Sequence, residues 1–245
     1  MKLPEKEREF NRNAFREMSI LEKADYIFAY YKLPLVIIGV VITALVTVVY
    51  HAITDKEAVV YTAYCNIVPN ETADATLTDG FIEHIGADSK EYEVVAYHEL
   101  YISTDDSLQN HQYAYASKLK LLGSIDGEKL DVVIMNGEAY DLISGWGYLL
   151  DLSEACAASS ADRSDVSGAI VSNVVVLSDN RVEVELGEAD EYVAETIEVP
   201  NAIDVTGNPV FGAFAEGDSV YLGIIANSPR TEASLDYLEY VLEAE

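Results

Sequence analysis

The sequence is poor in basic side chains. Its 245 residues include 15 lysines and arginines against 43 aspartates and glutamates, for a formal net charge of −28. Seven of the 15 precede residue 34, so the part after Tyr50 carries 8 basic residues (15 minus 7) against 37 acidic ones (43 minus 6), or about −29. Such a surface repels phosphate groups at short range. We therefore expect no nucleic acid among the partners, and no anionic lipid headgroup against the acidic part.

The sequence also lacks the patterns that usually carry catalysis or hold a cofactor. It contains no GxSxG nucleophile elbow, no GxxxxGK phosphate loop and no EF-hand loop. Four histidines are present, but none belongs to an HExxH motif or to a pair spaced four residues apart, as a zinc site on a helix would need. We predict no metal site, no cofactor and no enzymatic activity.

One long stretch, Leu33 to Tyr50 (LPLVIIGVVITALVTVVY), has no charged side chain. As a helix it would rise about 27 Å at ~1.5 Å per residue, close to the ~30 Å hydrocarbon core of a bilayer. Inside lipid a single segment satisfies its backbone only as a helix, and Pro34 would fall in the first turn, where its missing N–H costs least. The run predicts a transmembrane helix over residues 33–53; the alternative is a buried core helix.

The basic residues predict which end of this helix faces the cytoplasm. Their concentration before the run is typical of the cytoplasmic side, so we assign residues 1–32 to the cytoplasm and residues 54–245 to an extracytoplasmic domain at the cell membrane. Residues 18–32 have apolar and tyrosine side chains at helical spacing, which favours an interfacial helix, or alternatively a docking helix for a partner. The long polar segment before the run indicates an uncleaved signal anchor.

Cysteine is scarce: only Cys65 and Cys156 are present, and both fall in the part predicted to be exported. A disulfide is chemically possible there. A bridge needs Cα atoms about 4.4–6.8 Å apart, which the sequence alone does not give. A cysteine within a strand is often a small buried apolar residue, and we favour that interpretation.

The first part of the exported region alternates between strand-like and helix-like stretches. The predicted strands are 58–68, 93–103 and 130–135, and the predicted helices are 76–85, 111–122 and 138–152. Such alternation is typical of right-handed crossovers between parallel strands. It predicts an α/β class with one open, mostly parallel sheet.

The pattern changes after Leu152. Residues 154–168 are small and polar, which predicts a linker or a surface loop. Residues 169–177 and 181–186 read as the two strands of an antiparallel hairpin, because apolar and charged side chains alternate in the second. A further strand over 219–226 and a final helix, started by Ser228 and Pro229, complete the predicted domain.

Two passages resemble a known family. Residues 131–153 (DVVIMNGEAYDLISGWGYLLDLS) and 221–242 (YLGIIANSPRTEASLDYLEYVL) are similar to segments of bacterial extracytoplasmic solute-binding proteins of the type II class. The resemblance implies a periplasmic-binding-like sheet. Members of that family usually have two lobes, each near the size of this whole region. Here the second lobe is reduced to a hairpin and loops, which implies a truncated, single-lobed member.

In open α/β sheets the ligand crevice lies beyond the carboxyl ends of the parallel strands. That rule puts Asn66, Asn136 and Glu138 at the rim, with Asn227 as a further ligand-binding candidate. Trp146 could offer a stacking face to a sugar or an aromatic solute. The alternatives are that strand-end asparagines are turn residues and that a single tryptophan belongs to the core.

Two function classes follow. The first is a membrane-anchored extracytoplasmic binding module, similar to a solute-binding protein, which holds a small solute or peptide at the cell surface near a transporter. The second is a non-catalytic interaction or assembly subunit of a membrane or envelope complex, with no solute site. A concave pocket near Asn136 and Trp146 would favour the first class, and a filled strand-end face with an exposed apolar patch would favour the second.

Overall fold

In the computed structural model the described residues are 18–54, 56–104, 111–212 and 219–244. The chain divides into two units, Met1–Asp55 and Lys56–Glu245. The described part of the first unit is one continuous helix, α1 (Ile20–Thr54), with Pro34 inside it rather than in its first turn. The hydroxyls of Thr43 and Thr47 donate hydrogen bonds to carbonyls one turn earlier, at 2.9 Å. The side chains of residues 36–49 are exposed.

The predicted membrane span over residues 33–53 is wrong by this structure. Within the described residues, no helix combines the length and the apolar character that a bilayer crossing needs. The signal anchor, the membrane as a partner, and the assignment of 1–32 and 54–245 to opposite sides of a membrane depended on that span and are corrected with it. Residues 1–17 lie outside the described residues.

The second unit is built on a mixed six-stranded sheet with the order β2-β1-β3-β6-β5-β4. Its strands are β1 (Glu57–Cys65), β2 (Tyr92–Leu100), β3 (Val132–Asn136), β4 (Ile170–Asp179), β5 (Ala194–Asp204) and β6 (Val220–Ile224). Strand β1 pairs in parallel with β2 and β3, whereas the pairs β3–β6, β6–β5 and β5–β4 are antiparallel.

The predicted α/β class is therefore confirmed, but the predicted mostly parallel sheet is wrong. The three early strands lie where the sequence places them and are parallel. The late strands follow one another through connections without a long crossover helix, and neighbouring strands joined in that way run antiparallel. Hydrophobic period reveals a strand but not its direction.

The helices surround this sheet. They are α2 (Glu71–Ala75), a π turn (Thr76–Gly80), α3 (Phe81–His84), α4 (His111–Asp126), α5 (Gly137–Gly145), α6 (Leu152–Ala158), α7 (Ser164–Ala169), α8 (Arg181–Glu185), α9 (Pro209–Gly212) and α10 (Thr231–Glu243). The predicted linker or surface loop over 154–168 is wrong, since it contains most of α6 and all but the last residue of α7. The predicted second hairpin strand over 181–186 is also wrong: it forms α8, and the partner of β4 is β5.

The core has two apolar clusters, because alternate side chains of the central strands point to opposite faces of the sheet. One cluster holds Val60 and Tyr64 of β1 with the buried face of α10, which carries Leu235, Leu238 and Val241. The predicted final helix is thus confirmed, but its predicted start at Ser228 and Pro229 is wrong, since α10 begins at Thr231. The other holds the alternate residues of β1 with apolar side chains of α4 and α5.

The two cysteines belong to different clusters. Cys65 lies in the cluster beside α4 and α5, and Cys156 lies in the cluster beside α10. Both thiols are free and buried. Because the clusters occupy opposite faces of the sheet, the cysteines serve as small buried apolar residues, and the possible disulfide is not formed.

Candidate functional site

The three parallel strands end at one edge of the sheet, and a cavity of about 500 Å³ opens there. The register aligns Cys65 with Leu100 of β2 and with Met135 of β3. Residues at or just after these strand ends line the cavity, together with one residue of α4; they are Asn66, Ile67, Val68, Glu99, Leu100, Tyr101, Tyr113, Asn136 and Glu138. The structure thus brings together three of the five predicted ligand-binding residues, Asn66, Asn136 and Glu138.

Asn66 joins the end of β1 to the chain that leaves β2. Its Nδ2 donates to the carbonyl of Ile102 at 2.8 Å, and its Oδ1 accepts from the Ile102 N–H at 2.7 Å. The residue has a left-handed backbone with φ of 59°, which asparagine tolerates better than most residues. The side-chain amide therefore shapes the rim, and the second N–H of Nδ2 and the second lone pair of Oδ1 are left for a ligand.

Glu99 reaches the rim through a β-bulge. Ala63 pairs with Tyr97 and Cys65 pairs with Leu100, so β2 contains one extra residue between these pairs. Glu99 has a left-handed φ of 60°, and its carbonyl accepts a hydrogen bond from the hydroxyl of Tyr113 on α4. Bulges often redirect a side chain next to a binding site. The sequence analysis missed both Glu99 and Tyr113, because a bulge depends on strand register and leaves no local signal.

Asn136 and Glu138 begin α5. The Oδ1 atom of Asn136 accepts from the N–H of Ala139 at 3.0 Å, which makes Asn136 the N-cap. Among the described residues, its Nδ2 has no hydrogen-bond partner, so that N–H₂ group is free to donate to a ligand. Glu138 lies in the first turn, where a carboxylate is stabilised by the helix dipole, and it has no ion-pair partner in the described part of the chain.

The lining defines what the cavity can hold. Ile67, Val68 and Leu100 give it an apolar wall, while the amide of Asn136 and a few oxygen atoms supply polar contacts. Among the described residues, no lysine, arginine or histidine lines it. Glu99 and Glu138 would therefore repel a carboxylate or phosphate, with no cation to compensate. They would not repel a neutral or positively charged solute. In the described ranges no group of three or more His, Cys, Asp or Glu side chains could hold a metal ion.

Trp146 and Asn227 lie away from this cavity. Trp146 caps the far end of α5, with the Nζ of Lys118 4.4 Å from its ring centroid and the edge of Tyr148 against it. Asn227 follows β6, and because β6 runs antiparallel to β3, its end lies at the opposite edge of the sheet. There the Nδ2 of Asn227 donates to the carbonyl of Ile125 at 2.8 Å. The prediction that Asn227 lies near the cavity assumed that β6 runs parallel to β3.

That opposite edge is held by a saturated ion pair. Asp131 is fully buried, and its Oδ2 accepts from the Tyr61 N–H and from the Nε of Arg230, both at 2.8 Å. Its Oδ1 accepts from the hydroxyl of Ser228 at 2.6 Å. The guanidinium of Arg230 also lies over the ring of Tyr61. These groups have their partners within the fold, so this edge is a structural anchor rather than a second ligand site.

Comparison with known proteins found no matching family model, no similar curated protein and no similar solved structure.

Proposed function

We propose that the unit Lys56–Glu245 is a non-catalytic binding module that holds a small neutral or cationic solute at the carboxyl edge of its parallel strands. The observation that carries this proposal is the cavity of about 500 Å³ lined by Asn66, Asn136 and Glu138. Its volume falls in the ~300–1,000 Å³ range of small-molecule sites, and it combines an apolar wall with a few polar groups, as such sites do.

The rim geometry supports a preformed site. Two neighbouring strand ends have non-glycine residues in the left-handed region, Asn66 and Glu99. Such conformations persist only where the surrounding contacts impose them, and they cluster at binding sites. Both are held by hydrogen bonds across the rim. The resemblance to type II solute-binding proteins points to the same edge of the sheet.

The described residues of this unit enclose the cavity from one side of a single sheet, so we expect modest affinity. The test is a thermal-shift screen of the full-length chain against amines, amino acids, neutral sugars, short peptides and, as a contrasting set, dicarboxylates. A ligand that binds only the folded form raises the melting temperature. The expected hits are neutral or cationic compounds, with no shift from dicarboxylates.

A matched pair of variants locates the binding. Asn136→Asp keeps a capping oxygen for Ala139 but removes the free Nδ2 donor. We expect it to weaken a neutral hit at least about tenfold by calorimetry, the loss of one good hydrogen bond. Asn227→Asp makes the same change at the opposite edge and should leave the affinity unchanged. A screen without hits, or a hit equally insensitive to both variants, would refute the proposal.

An interaction or assembly subunit is the second candidate function. Strands β4 and β5 present a surface on which several apolar side chains are exposed, including Leu177 at 55 % and Ile197 at 45 %. Exposed apolar groups gathered on one element are typical of protein–protein contact sites. This role would use a different surface from the cavity, so the two functions are compatible in one molecule.

A further inference from the structure

Strands β4 and β5 extend beyond the sheet as a two-stranded ribbon. They pair with each other from Ser172–Pro200 to Asp179–Ala194, but β5 pairs with β6 only through Ile203 and Asp204. None of the residues from 172 to 200 is buried. We call this segment, 172–200, the arm. A ribbon without a core of its own is marginally stable in water, which makes a covering partner favourable.

The arm combines exposed apolar side chains with a strong negative charge. The exposed apolar residues are Val174, Leu177, Val182, Leu186, Tyr192, Val193 and Ile197. The same segment has eight aspartates and glutamates and a single basic residue, Arg181. A complementary partner therefore supplies apolar and basic side chains. A second copy of this arm would bring eight more carboxylates to the contact, and like charges across a strand pair are destabilising.

The outer edge of β4 has backbone groups available for pairing. Pro200 lacks an N–H, so the pair Ser172–Pro200 is of the type without mutual hydrogen bonds, and the same holds for the alternate residue Val174. Consistent with this, the Val174 N–H donates to the Oδ1 of Asn173, and the hydroxyl of Ser144 donates to the carbonyl of Val174. Alternation then directs the N–H and carbonyl of Val176 outward as well. No side chain of the described residues, and no backbone group outside the strand pairing, is hydrogen-bonded to them.

A groove of about 540 Å³ runs beside that free edge. One wall comes from α5 through Leu142 and Trp146, and the other from β4 through Val176 and Leu177. The Asp179 side chain, at the arm end of the groove, is 26 % exposed; its carboxylate accepts hydrogen bonds from the Arg181 N–H at 3.3 Å and from the Tyr192 hydroxyl, and lies 3.8 Å from the Arg181 guanidinium. The groove thus joins a strand edge, an aromatic apolar wall and a net negative charge, since Asp141 and Asp179 line it together with one basic residue, Arg181.

We infer that this groove binds an extended peptide segment with alternating basic and apolar residues, which pairs with the outer edge of β4. Main-chain hydrogen bonds to Val176 fix the peptide, its apolar side chains contact Leu142 and Trp146, and its basic side chains lie near Asp179 and the acidic arm. Strand addition to a free edge is an established mode of peptide recognition. The inference gives a binding mode to the interaction role and does not depend on the solute cavity.

The test uses the full-length chain and the fluorescein-labelled peptide Lys-Val-Lys-Val-Lys-Val-Lys, followed by fluorescence anisotropy. We expect saturable binding that weakens as salt is added, together with a change in the emission of Trp146, the only tryptophan. The peptide Glu-Val-Glu-Val-Glu-Val-Glu should not bind. The same lysine peptide with alternate backbone nitrogens methylated keeps its charge but cannot donate to the edge, and it should bind at least about tenfold more weakly.

Two protein variants test the edge from the other side. Val176→Pro removes the outward N–H at a position where an edge strand tolerates proline, whereas Val176→Thr keeps both the N–H and the side-chain shape. Val176→Pro should weaken the binding of the lysine peptide at least about tenfold, and Val176→Thr should leave it unchanged. Equal binding of methylated and unmethylated peptides, no binding of the lysine peptide, or a self-associated chain that dissociates on Val176→Pro would each overturn the inference. None of these outcomes affects the solute screen, which responds to Asn136→Asp.

Discussion

Asn66 shows how one residue type can satisfy two demands at the rim of the cavity. Its backbone is left-handed, and its side chain forms both hydrogen bonds with the backbone of Ile102. Asn66→Gly loses the side-chain hydrogen bonds but adopts the left-handed backbone without strain. Asn66→Ala loses the same hydrogen bonds and also holds a strained left-handed backbone. We expect Asn66→Ala to lower the free energy of unfolding about 1 kcal/mol more than Asn66→Gly does, the cost of a left-handed alanine.

Urea unfolding of the two variants measures that difference. In the usual order alanine is the more stable substitution, because glycine loses more chain entropy on folding. A result in which Asn66→Ala is the more stable of the two would therefore contradict the left-handed assignment, and with it the preformed rim.

Cys65 gives a prediction about alkaline stability. Burial raises the pKa of its thiol from 9.0 to about 12, so the folded chain holds this proton more tightly than the unfolded chain does. The stabilisation is complete below the unfolded pKa and is lost as pH rises from about 9 toward 12, at about 1.4 kcal/mol per pH unit. Cys65→Ala should remove this part of the slope of the unfolding free energy.

The comparison is made by urea unfolding at intervals between about pH 8 and pH 11. Burial also raises the pKa of the Tyr64 and Tyr237 hydroxyls, and both tyrosines remain in the variant. The variant should therefore keep a residual slope at the alkaline end. Identical slopes for the two chains would show that the thiol is not responsible.

At the scale of elements, two tyrosines of α10 form hydrogen bonds with the π turn that lies between α2 and α3. The hydroxyl of Tyr237 donates to the carbonyl of Leu77 at 2.9 Å, and that of Tyr240 donates to the carbonyl of Thr76 at 2.7 Å. A Cβ added to Gly80 would clash with the Tyr240 hydroxyl oxygen, whereas its next contact, at 3.6 Å, is unstrained. Gly80 thus leaves room for one atom of a neighbouring helix.

This contact predicts a non-additive pair of substitutions. Gly80→Ala alone should lower the free energy of unfolding by about 1–3 kcal/mol through overpacking. Tyr240→Phe alone should cost about 1 kcal/mol for the lost hydrogen bond. In the double variant the clash is absent and alanine is the better helix former, since Gly80 has helical dihedrals. The double variant should therefore be no less stable than Tyr240→Phe. A double-mutant cycle by urea unfolding measures this, and additive losses would contradict it.

The elements also show what a sequence can and cannot predict. The carboxyl-edge cavity could be predicted, because Asn66 and Asn136 directly follow buried strands that prove to be parallel. The separation of Asn227 from this cavity could not be predicted, because the direction of β6 is decided by its pairing with β3 and not by its own residues. The segment 181–186 has Val182 and Leu186 spaced four apart, so its alternation fits one helical turn as well as a strand.

At the scale of the molecule, charge is the dominant feature: the net formal charge is −28, and eight carboxylates fall within the arm. Like charges held close together oppose the folded state, and the unfolded chain relieves this repulsion by expanding. Salt screens it, since the Debye length falls from ~30 Å at 0.01 M to ~10 Å at 0.1 M. We therefore expect the free energy of unfolding to rise by about 1–2 kcal/mol between about 0.01 M and about 0.5 M potassium chloride.

The arm offers a graded test of this explanation. Glu183 and Glu188 are exposed, and changing both to Gln or both to Lys alters the net charge from −28 to −26 or −24. The rise in unfolding free energy with salt, measured by urea unfolding at each salt concentration, should be largest in the unsubstituted chain, smaller in the Gln pair and smallest in the Lys pair. If stability fell with salt in all three, attractive ion pairs such as Arg163 with Asp236 and Glu239 would dominate over the net repulsion. The variant with both residues changed to Lys should also bind the lysine peptide more weakly, because the negative charge that opposes folding also attracts this peptide.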